Sequence, residues 1–245
     1  MGYDPKSCYT GRSPLEAVSI GIKMGDSDVA FRCNLVTLSE EEEYENKRME
    51  DYSSGEITTQ EAAELIQAVE NAFGTDKIQF YPGISYRHCM IWHEGPVGLD
   101  LTPPHDISDK KITSHLPKNL VILDFMRRSY DLLKDHPVNQ ARKEKGMNPA
   151  NSIWLWGEGT RPAVSGFEAA YGVKGSVISA VDLIKGIGIC AGMEVIEVEG
   201  ATGNIDTNFR GKGEAALKTL LDGQDLVYIH VEAPDECGHH GDVKG

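Results

Sequence analysis

The sequence is poor in cysteine and has no long apolar run. Its five cysteines are scattered and contain no CxxC pair, which argues against a disulfide framework and favours reduced thiols in a cytoplasmic protein. No apolar stretch approaches the roughly 20 residues that span a bilayer, and the N-terminal residues lack a signal-peptide pattern. We therefore expect a globular cytoplasmic protein that does not bind membranes.

Positive charge is also scarce. Lys and Arg number 24 against 38 Asp and Glu, which gives a formal net charge of −14. Such a surface repels nucleic acids and anionic membranes, so neither is an expected partner. A small anionic substrate remains compatible, because a local cluster of Arg and Lys can override the global field. The Gly-rich run "GIGICAG" has neither the GxGxxG nor the P-loop spacing, which excludes a nucleotide-binding fold of those types.

The pattern of strands and helices divides the 245 residues into two regions. Residues 28–149 mix alternating strands with amphipathic helices, as in α+β domains. From about residue 150, strands alternate with helices, which predicts α/β units and a mainly parallel sheet. We assign residues 1–27 and 150–245 to one α/β domain and residues 28–149 to an α+β domain inserted into it. The sequence does not set the oligomeric state.

Several elements are predicted within these regions. Alternation over residues 28–38 indicates a half-buried strand with Arg32 on its open face. The segment "TTQEAAELIQAVENAFG" begins with a capping box and predicts the clearest helix. A second helix is predicted over residues 120–138, ended by Pro137. Further strands are predicted over residues 153–157, 194–200 and 225–233.

The stretch "HVEAPDECGHHGD" concentrates histidines and carboxylates behind a predicted strand. Asp235 and His239 are four residues apart and would share one face of a helix. A carboxylate with an imidazole suits a divalent ion such as Mn²⁺ or Zn²⁺. The alternative is a polar loop with solvated histidines, because a lone D-x-x-x-H has little specificity. A metal site needs three or four protein ligands, and no other dense cluster in the sequence supplies them.

Basic side chains next to turns form the second set of candidates. Arginine is the side chain suited to bidentate recognition of phosphate or carboxylate, and lysine acts as a point charge. Each candidate lies beside Gly, Pro or aromatic residues, although each alone is also typical of a surface or structural position. The candidates are Arg12, Arg32, Arg87, His88, Arg161 and Lys185.

A set of segments, in the same order over essentially the whole chain, resembles one enzyme family. The segments are "YTGRSPLEA", "DVAFRCNLVT", "FYPGISYRH", "LTPPHDI", "HPVN", "NPANSIWLWGEG", "VISAVDLIKGIG", "EGATGNIDTNF" and "HVEAPDECGHHGD". Together they resemble the archaeal-type 2,3-bisphosphoglycerate-independent phosphoglycerate mutases of the alkaline phosphatase superfamily. A match in order along the chain is more specific than any single motif.

The resemblance implies an α/β fold with a partial alkaline-phosphatase-like catalytic domain and an inserted α+β domain that closes over the substrate. It further implies two divalent metal ions, usually Mn²⁺, with Zn²⁺, Mg²⁺ or Co²⁺ as alternatives. A metal-activated serine would take the phosphoryl group of phosphoglycerate and return it to the other hydroxyl, interconverting 3-phosphoglycerate and 2-phosphoglycerate in glycolysis and gluconeogenesis. Two metal ions and arginine clamps suit phosphoryl transfer, which depends on positioning and charge stabilisation.

Individual roles follow from the resemblance. Asp235 and His239 resemble the family's first metal-ligand pair, and Cys237 between them is expected to be a small packing residue. The substrate-binding residues that the resemblance implies are Lys185, Arg161, Arg87, Arg32 and His105.

The family pattern also includes parts that this sequence lacks. The nucleophilic serine and a strand ending in a metal-binding Asp would lie upstream of Met1, and further metal ligands would lie beyond Gly245. We therefore expect a segment of a longer enzyme that is inactive in isolation. Two alternatives stay open: a phosphatase or other phosphotransferase of the same superfamily, and a metal-independent binding or scaffold module.

Overall fold

The computed structural model describes residues 2–243, without the side chains of Ser7, His239 and His240. Within this range the chain forms two compact units. The central unit is Gly25–Thr160, and the split unit combines Met1–Met24 with Arg161–Gly245. Among the described residues, no helix has the length and apolar character needed to cross a bilayer.

The helices and strands follow one another in this order. The split unit begins with α1 (Pro5–Cys8) and α2 (Ser13–Ser19). The central unit contains β1 (Asp28–Leu38), β2 (Met49–Asp51), α3 (Thr59–Phe73), β3 (Ile78–Tyr81), β4 (Arg87–His93), α4 (Leu120–Leu133), α5 (Pro137–Glu144) and β5 (Ser152–Thr160). The split unit resumes with α6 (Phe167–Tyr171), β6 (Gly175–Ile178), α7 (Asp182–Cys190), β7 (Glu194–Val195), α8 (Phe209–Leu221), β8 (Leu226–Ile229) and α9 (Ala233–His240). Short 3-10 turns lie at Tyr44–Asn46, Pro104–Ile107 and Thr113–His115.

Strand β1 is the centre of the central unit's antiparallel sheet. It pairs with β4 along one side and with β5 along the other, while β3 extends the sheet beyond β4 and β2 pairs with the end of β1. The β5 pairing runs from Val29 opposite Thr160 to Val36 opposite Ser152. This pairing places residues 152–160 in the central unit. The boundaries of the compact units therefore differ from the sequence-based ones at 27/28 and 149/150.

Helix α3 covers one face of this sheet. Its predicted capping box is present, since the Thr58 hydroxyl accepts a hydrogen bond from the Glu61 backbone N–H (3.3 Å) and donates one to the Glu61 carboxylate (2.9 Å). The side chains repeated at helical spacing are all buried, as an amphipathic helix on a core requires; they are Leu65, Ile66, Val69 and Phe73. They join the β1 side chains Phe31 and Leu35 in one apolar core.

The expectation that one face of β1 is open to solvent was wrong except at Arg32. Ala30 and Asn34, on the same face as Arg32, are fully buried. The chain that follows β4 covers them, because it runs along β5 on this face: the Trp154 indole N–H donates to the Thr102 carbonyl (2.8 Å). Beyond its first residue, both faces of β1 are therefore buried, except that part of the Arg32 side chain reaches water.

Two other sequence-based boundaries needed correction. Helix α4 ends at Leu133, and Pro137 begins α5 instead of ending a single long helix. Proline fits the first turn of a helix, where its missing N–H has no intrahelical partner, and His136 caps α5 by accepting from the Val138 N–H (3.3 Å). The strand predicted over residues 194–200 is limited to Glu194–Val195.

The split unit contains the predicted parallel pairing. Strand β6 lies between β7 and β8, and both pairs are parallel. Helix α7 packs on α2 through Gly186, where a Cβ atom would lie 2.0 Å from the Leu15 carbonyl oxygen. At Gly188 a Cβ would lie 2.7 Å from the Val177 side chain. The Gly-rich run therefore allows α7 to approach both a helix and a strand closely.

We predict that Gly186→Ala destabilises the split unit by about 1–3 kcal/mol, the usual cost of overpacking. Gly213→Ala is the matched control, because a Cβ at Gly213 in α8 has no neighbour within 4 Å. The Gly213→Ala control should stabilise the split unit by up to about 1 kcal/mol, because alanine has a higher helix propensity than glycine. Hydrogen-exchange mass spectrometry of peptides from β6 and α7 measures both effects. Equal protection in the two variants would contradict the packing assigned to Gly186.

His88 is a buried titratable group on β4. It lies opposite Cys33 of β1, and both side chains are buried. Its Nδ1 accepts a hydrogen bond from the Gly83 N–H (2.9 Å), so the proton of the neutral ring is on Nε2, which has no hydrogen-bond partner among the described residues. Burial lowers the pKa of His88 to about 3. The folded central unit therefore holds this imidazole neutral.

This depressed pKa predicts a loss of stability in acid. The unfolded chain takes up a proton near pH 6.5, the ordinary histidine value, whereas the folded chain does not until about pH 3. Stability from His88 is therefore complete above pH 6.5 and declines as the pH falls. Between pH 7.5 and 5.5 the wild type should lose about 1.4 kcal/mol more than His88→Asn, whose amide oxygen can still accept from Gly83. Urea unfolding followed by tryptophan fluorescence reports the central unit, which contains Trp92, Trp154 and Trp156. The same pH dependence in both proteins would contradict the assignment.

Candidate functional site

The predicted site residues fall into two groups, one in each compact unit. In the central unit, Arg32 lies in the middle of β1, Arg87 is the first residue of β4, and His105 lies in the 3-10 turn Pro104–Ile107. The other predicted residues belong to the split unit; they are Arg161, Lys185, Asp235 and His239. Each group has its own local geometry.

Arg32 lies against an aromatic ring supplied by the neighbouring strand. It pairs directly with Trp156 of β5 in the antiparallel ladder, and residues opposite each other in such a ladder project to the same face. The Arg32 guanidinium carbon lies 4.4 Å from the Trp156 ring centroid. This distance is within the range of a cation–π interaction.

His105 connects this pair to a second aromatic arm. Its ring lies edge-on to Trp156, with 5.4 Å between centroids, and edge-on to Tyr52 at 6.1 Å. Tyr52 in turn lies 5.9 Å from Tyr86, also edge-on. Such edge-to-face contacts fix ring orientation as well as separation.

Arg87 completes the series of contacts. Its guanidinium carbon lies 5.5 Å from the Tyr86 ring centroid. Burial raises the pKa of Tyr86, while the positive charges of Arg87 and Arg32 act in the opposite direction. Both guanidinium groups therefore act on the same ring. We call the following six residues the cation–aromatic cluster: Arg32, Tyr52, Tyr86, Arg87, His105 and Trp156.

The turn that carries Tyr52 is held by a carboxylate. Asp51 accepts hydrogen bonds from the backbone N–H groups of Ser53 (2.8 Å) and Gly55 (2.6 Å) and from the Asn148 amide (2.8 Å). Burial opposes ionisation of Asp51, but these hydrogen bonds outweigh it and lower its pKa. An ionised carboxylate with several donors is a stable anchor for a tight turn. Tyr52 is thus positioned by its chain neighbour.

The turn that carries Tyr86 and Arg87 is held at its base. The Ser85 hydroxyl donates to the Ile57 carbonyl (2.7 Å), and the Leu35 N–H of β1 donates to the Tyr86 carbonyl (2.9 Å). At Gly83 a Cβ atom would lie 2.2 Å from the Arg87 carbonyl oxygen, so only glycine allows the turn to fold back this closely. The exposed Arg87 side chain therefore begins from a fixed backbone.

In the split unit, Lys185 has a carboxylate partner that sequence reasoning missed. Its ammonium nitrogen lies 2.8 Å from both carboxylate oxygens of Glu197. The Lys185 side chain is 16% exposed, whereas that of Glu197 is 74% exposed. Lys185 lies in the first turns of α7, after β6, and Glu197 follows β7. Both residues therefore lie beyond the carboxyl ends of the parallel strands, where α/β proteins gather ligand-binding groups.

Arg161 lies beside Cys190 at the end of α7. Burial raises the pKa of the Cys190 thiol, and the charge and hydrogen bond of Arg161 act in the opposite direction. The raised pKa keeps Cys190 protonated at neutral pH, so it lacks the thiolate character of a nucleophile. The Arg161 side chain is exposed.

The predicted metal ligands lie on α9. This helix spans Ala233–His240, so its backbone satisfies the helical condition under which Asp235 and His239 share a face. The Asp235 side chain is exposed, and the His239 side chain lies outside the described residues. Cys237, the expected packing residue, is half-buried.

Before α9, the end of β8 carries another imidazole. His230 Nε2 lies 3.2 Å from a Glu232 carboxylate oxygen, and its buried Nδ1 has no hydrogen-bond partner among the described residues. Across all the residues that the structure describes, no group of three or more His, Cys, Asp or Glu side chains is arranged to hold a metal ion. The described donors thus do not form a complete metal site.

Sequence reasoning identified the basic residues but missed the aromatic ones around them. Trp156, Tyr52 and Tyr86 had been given no role, although Tyr86 is adjacent to Arg87 in the motif "SYRH". That adjacency was a usable signal for Tyr86. The contacts of Trp156 depend on strand register, and those of Tyr52 depend on the fold of the turn after β2.

The chain matches a known protein family over more than half its length. Residues 1–139 match the family described as 2,3-bisphosphoglycerate-independent phosphoglycerate mutase. A probable 2,3-bisphosphoglycerate-independent phosphoglycerate mutase of Geobacter sulfurreducens is 53% identical over 100% of this chain and 61% of its own length. The enzyme of that name from Methanosarcina barkeri is 50% identical over 99% of this chain and 60% of its own. The chain thus spans about 60% of the length of these relatives.

Solved structures resemble the chain in fold. The PH0037 protein of Pyrococcus horikoshii aligns with a TM-score of 0.76 and 26% identity, covering 98% of this chain and 56% of its own. A cofactor-independent phosphoglycerate mutase from Thermoplasma acidophilum aligns with a TM-score of 0.58 and 26% identity, covering 94% and 61% respectively. Together with the sequence match, these similarities show that the chain belongs to the 2,3-bisphosphoglycerate-independent phosphoglycerate mutase family.

Proposed function

We propose that the protein is a phosphoglycerate mutase, an isomerase that interconverts 3-phosphoglycerate and 2-phosphoglycerate through a phosphoserine intermediate in glycolysis and gluconeogenesis. The observation that carries the proposal is the similarity along the entire chain to relatives named for this reaction. A cytoplasmic location accords with such a role. Among the described residues, no contact favours the phosphatase, phosphotransferase or scaffold alternatives.

The central unit would bind the anionic substrate through the cation–aromatic cluster. Phosphoglycerate carries a phosphate and a carboxylate, and both match the planar fork of an arginine. Arg32 and Arg87 supply two such groups, connected through His105 and the aromatic rings. An aromatic ring packs against the face of a guanidinium, whereas the N–H donors point outward in the guanidinium plane. The cluster therefore suits a small ligand with two anionic groups at the surface of an otherwise acidic chain.

The split unit would supply part of an alkaline-phosphatase-like catalytic domain. Lys185 would meet the substrate phosphate and Arg161 would act as a clamp. Lys185 is already paired with Glu197 (2.8 Å), so a bound phosphate would take the place of that carboxylate. An ammonium group can pair with a carboxylate or a phosphate as a point charge, without the planar alignment that a guanidinium requires.

Divalent metal ions would complete the catalytic domain. Asp235 offers a carboxylate and His239 an imidazole, a donor pair that suits Mn²⁺ or Zn²⁺, with Mg²⁺ or Co²⁺ as alternatives. Two ligands are fewer than the three or four protein ligands of a typical metal site, so further ligands would have to come from other residues of the protein. Bound ions would supply charge stabilisation of the transferring phosphoryl group.

None of the residues assigned above is a nucleophile, which leads to a first prediction on activity. The isolated 245-residue chain should show no conversion of 3-phosphoglycerate, whereas protein expressed from the complete reading frame that contains it should show conversion that EDTA abolishes and Mn²⁺ restores. A coupled assay for 2-phosphoglycerate measures both proteins. Release of inorganic phosphate without isomerisation would indicate a phosphatase, and turnover by the isolated chain would overturn the assigned roles.

We further predict that Arg32→Met weakens the binding of 3-phosphoglycerate to the chain. Losing a hydrogen-bonded charge costs about 1.5–3 kcal/mol, which corresponds to roughly 10- to 150-fold in Kd. Isothermal titration calorimetry measures the change. The matched control is Arg128→Met, which removes the same charge from α4, where Arg128 pairs with Asp124 (3.2 Å). Equal affinity losses in the two variants would show that only net charge matters and would exclude a specific site at Arg32.

A further inference from the structure

We propose that Trp156 is the positioning residue that sets the orientation of Arg32 and His105 for the anionic substrate, and that the buried Asn34 amide holds Trp156 in place. The inference rests on the proposed binding role of the cation–aromatic cluster. It assigns a role to two side chains that the sequence did not single out. Neither of them would need to touch the reacting atoms.

The first step is the anchoring of the indole ring. The Trp156 indole N–H donates a hydrogen bond to the Asn34 amide oxygen (3.0 Å). Asn34 lies two residues after Arg32 on β1 and is only 2% exposed. In the ladder Asn34 is opposite Trp154, so its bond to Trp156 is a diagonal cross-strand contact. A buried amide on a central strand gives the indole one orientation.

The second step connects the same amide to the other aromatic arm. The Asn34 amide N–H₂ points to the Tyr52 carbonyl at 3.5 Å, the upper limit for a hydrogen bond. One side chain thus contacts Trp156 through its oxygen and the Tyr52 backbone through its nitrogen. The two rings that flank His105 are those of Trp156 and Tyr52. The spacing of the rings around His105 therefore depends on Asn34.

The third step is the effect on the cation. The Arg32 guanidinium lies over the indole ring, 4.4 Å from its centroid, and it cannot move away from the ring face without losing the cation–π contact. The ring also removes water from one face of the guanidinium, which strengthens its interaction with an anion. Since Trp156 contacts both the Arg32 guanidinium and, in a T-shaped arrangement, the His105 ring, one indole positions two proposed substrate-binding groups from distant parts of the chain. Positioning of this kind reduces the ordering cost of ligand binding.

Tryptophan substitutions test the proposal. Trp156→Leu removes the ring and should raise the Kd for 3-phosphoglycerate by about 2- to 30-fold, the range expected for a cation–π contact. Trp156→Phe keeps a ring face but loses the N–H donor, and should cause a smaller loss. Trp92→Phe is the control, because Trp92 packs against Phe31 in the core (6.3 Å between centroids), away from Arg32. Inorganic phosphate serves as a second probe.

A double-mutant cycle distinguishes positioning from a merely structural role. If Trp156 acts partly through Arg32, then Trp156→Leu should cost less affinity in the Arg32→Met background than in the wild type, because only its effect through His105 remains, whereas independent effects would add in full. Additive losses, or an unchanged affinity in Trp156→Leu, would overturn the inference. A loss of affinity in Trp92→Phe equal to that in Trp156→Leu would do the same.

A measurement without ligand separates this inference from the proposed function. In the wild type, the Arg32 Nε–H signal in the NMR spectrum should carry the ring-current shift of a group stacked over an indole, and Trp156→Leu should remove that shift. An Arg32 signal that does not move in Trp156→Leu overturns the positioning role. If neither 3-phosphoglycerate nor inorganic phosphate binds the wild type, the proposed binding function fails, while the Arg32 signal still decides whether Trp156 orients the guanidinium.

Discussion

The pairing of β1 with β4 on one side and β5 on the other is the constraint on which the central unit depends. It joins segments that are more than fifty residues apart along the chain and gives β1 two buried faces. One face, with Phe31 and Leu35, faces the helices and forms the apolar core. The other carries Arg32 and Asn34 beneath the chain that follows β4. Because the register of a strand determines which side chains share a face, the same hydrogen bonds that build the core also bring Arg32 to Trp156.

The contacts of the basic residues differ between the two units. In the central unit, the contacts described for Arg32 and Arg87 are with neutral rings at 4.4 and 5.5 Å. A ring stabilises a cation without cancelling its charge. In the split unit, Lys185 is held by the Glu197 carboxylate. The sequence places all three residues in similar surroundings of Gly, Pro and aromatics, and the structure is needed to show which ring or carboxylate each cation contacts.

Local patterns predicted local structure well in this chain. The capping box at Thr58, the alternation of β1 and the parallel strand–helix order of the split unit each depend on neighbours within one element. The errors arise where a residue outside the element determines a helix boundary or the burial of a strand. Proline can end one helix or begin the next. Here Pro137 begins α5, because His136 caps the N-terminus of that helix. The alternating pattern of β1 could not show that chain from beyond β4 covers Asn34. For the site, the charged residues were predicted from the sequence and from the family resemblance, while the contact of Trp156 with Arg32 required the register between strands separated by more than a hundred residues.

The pair formed by Lys185 and Glu197 bears on the proposed phosphate-binding role of Lys185. The lysine side chain is largely buried, whereas the glutamate is mostly exposed. A mostly exposed carboxylate gains little from an ion pair, since water solvates it almost as well. The largely buried ammonium, by contrast, would be costly to leave without a counter-charge. If Lys185 binds the substrate phosphate as proposed, Glu197 can therefore leave at small cost, and the ammonium group keeps a negative partner in both states. The asymmetry in exposure thus favours exchange of the anion over movement of the lysine.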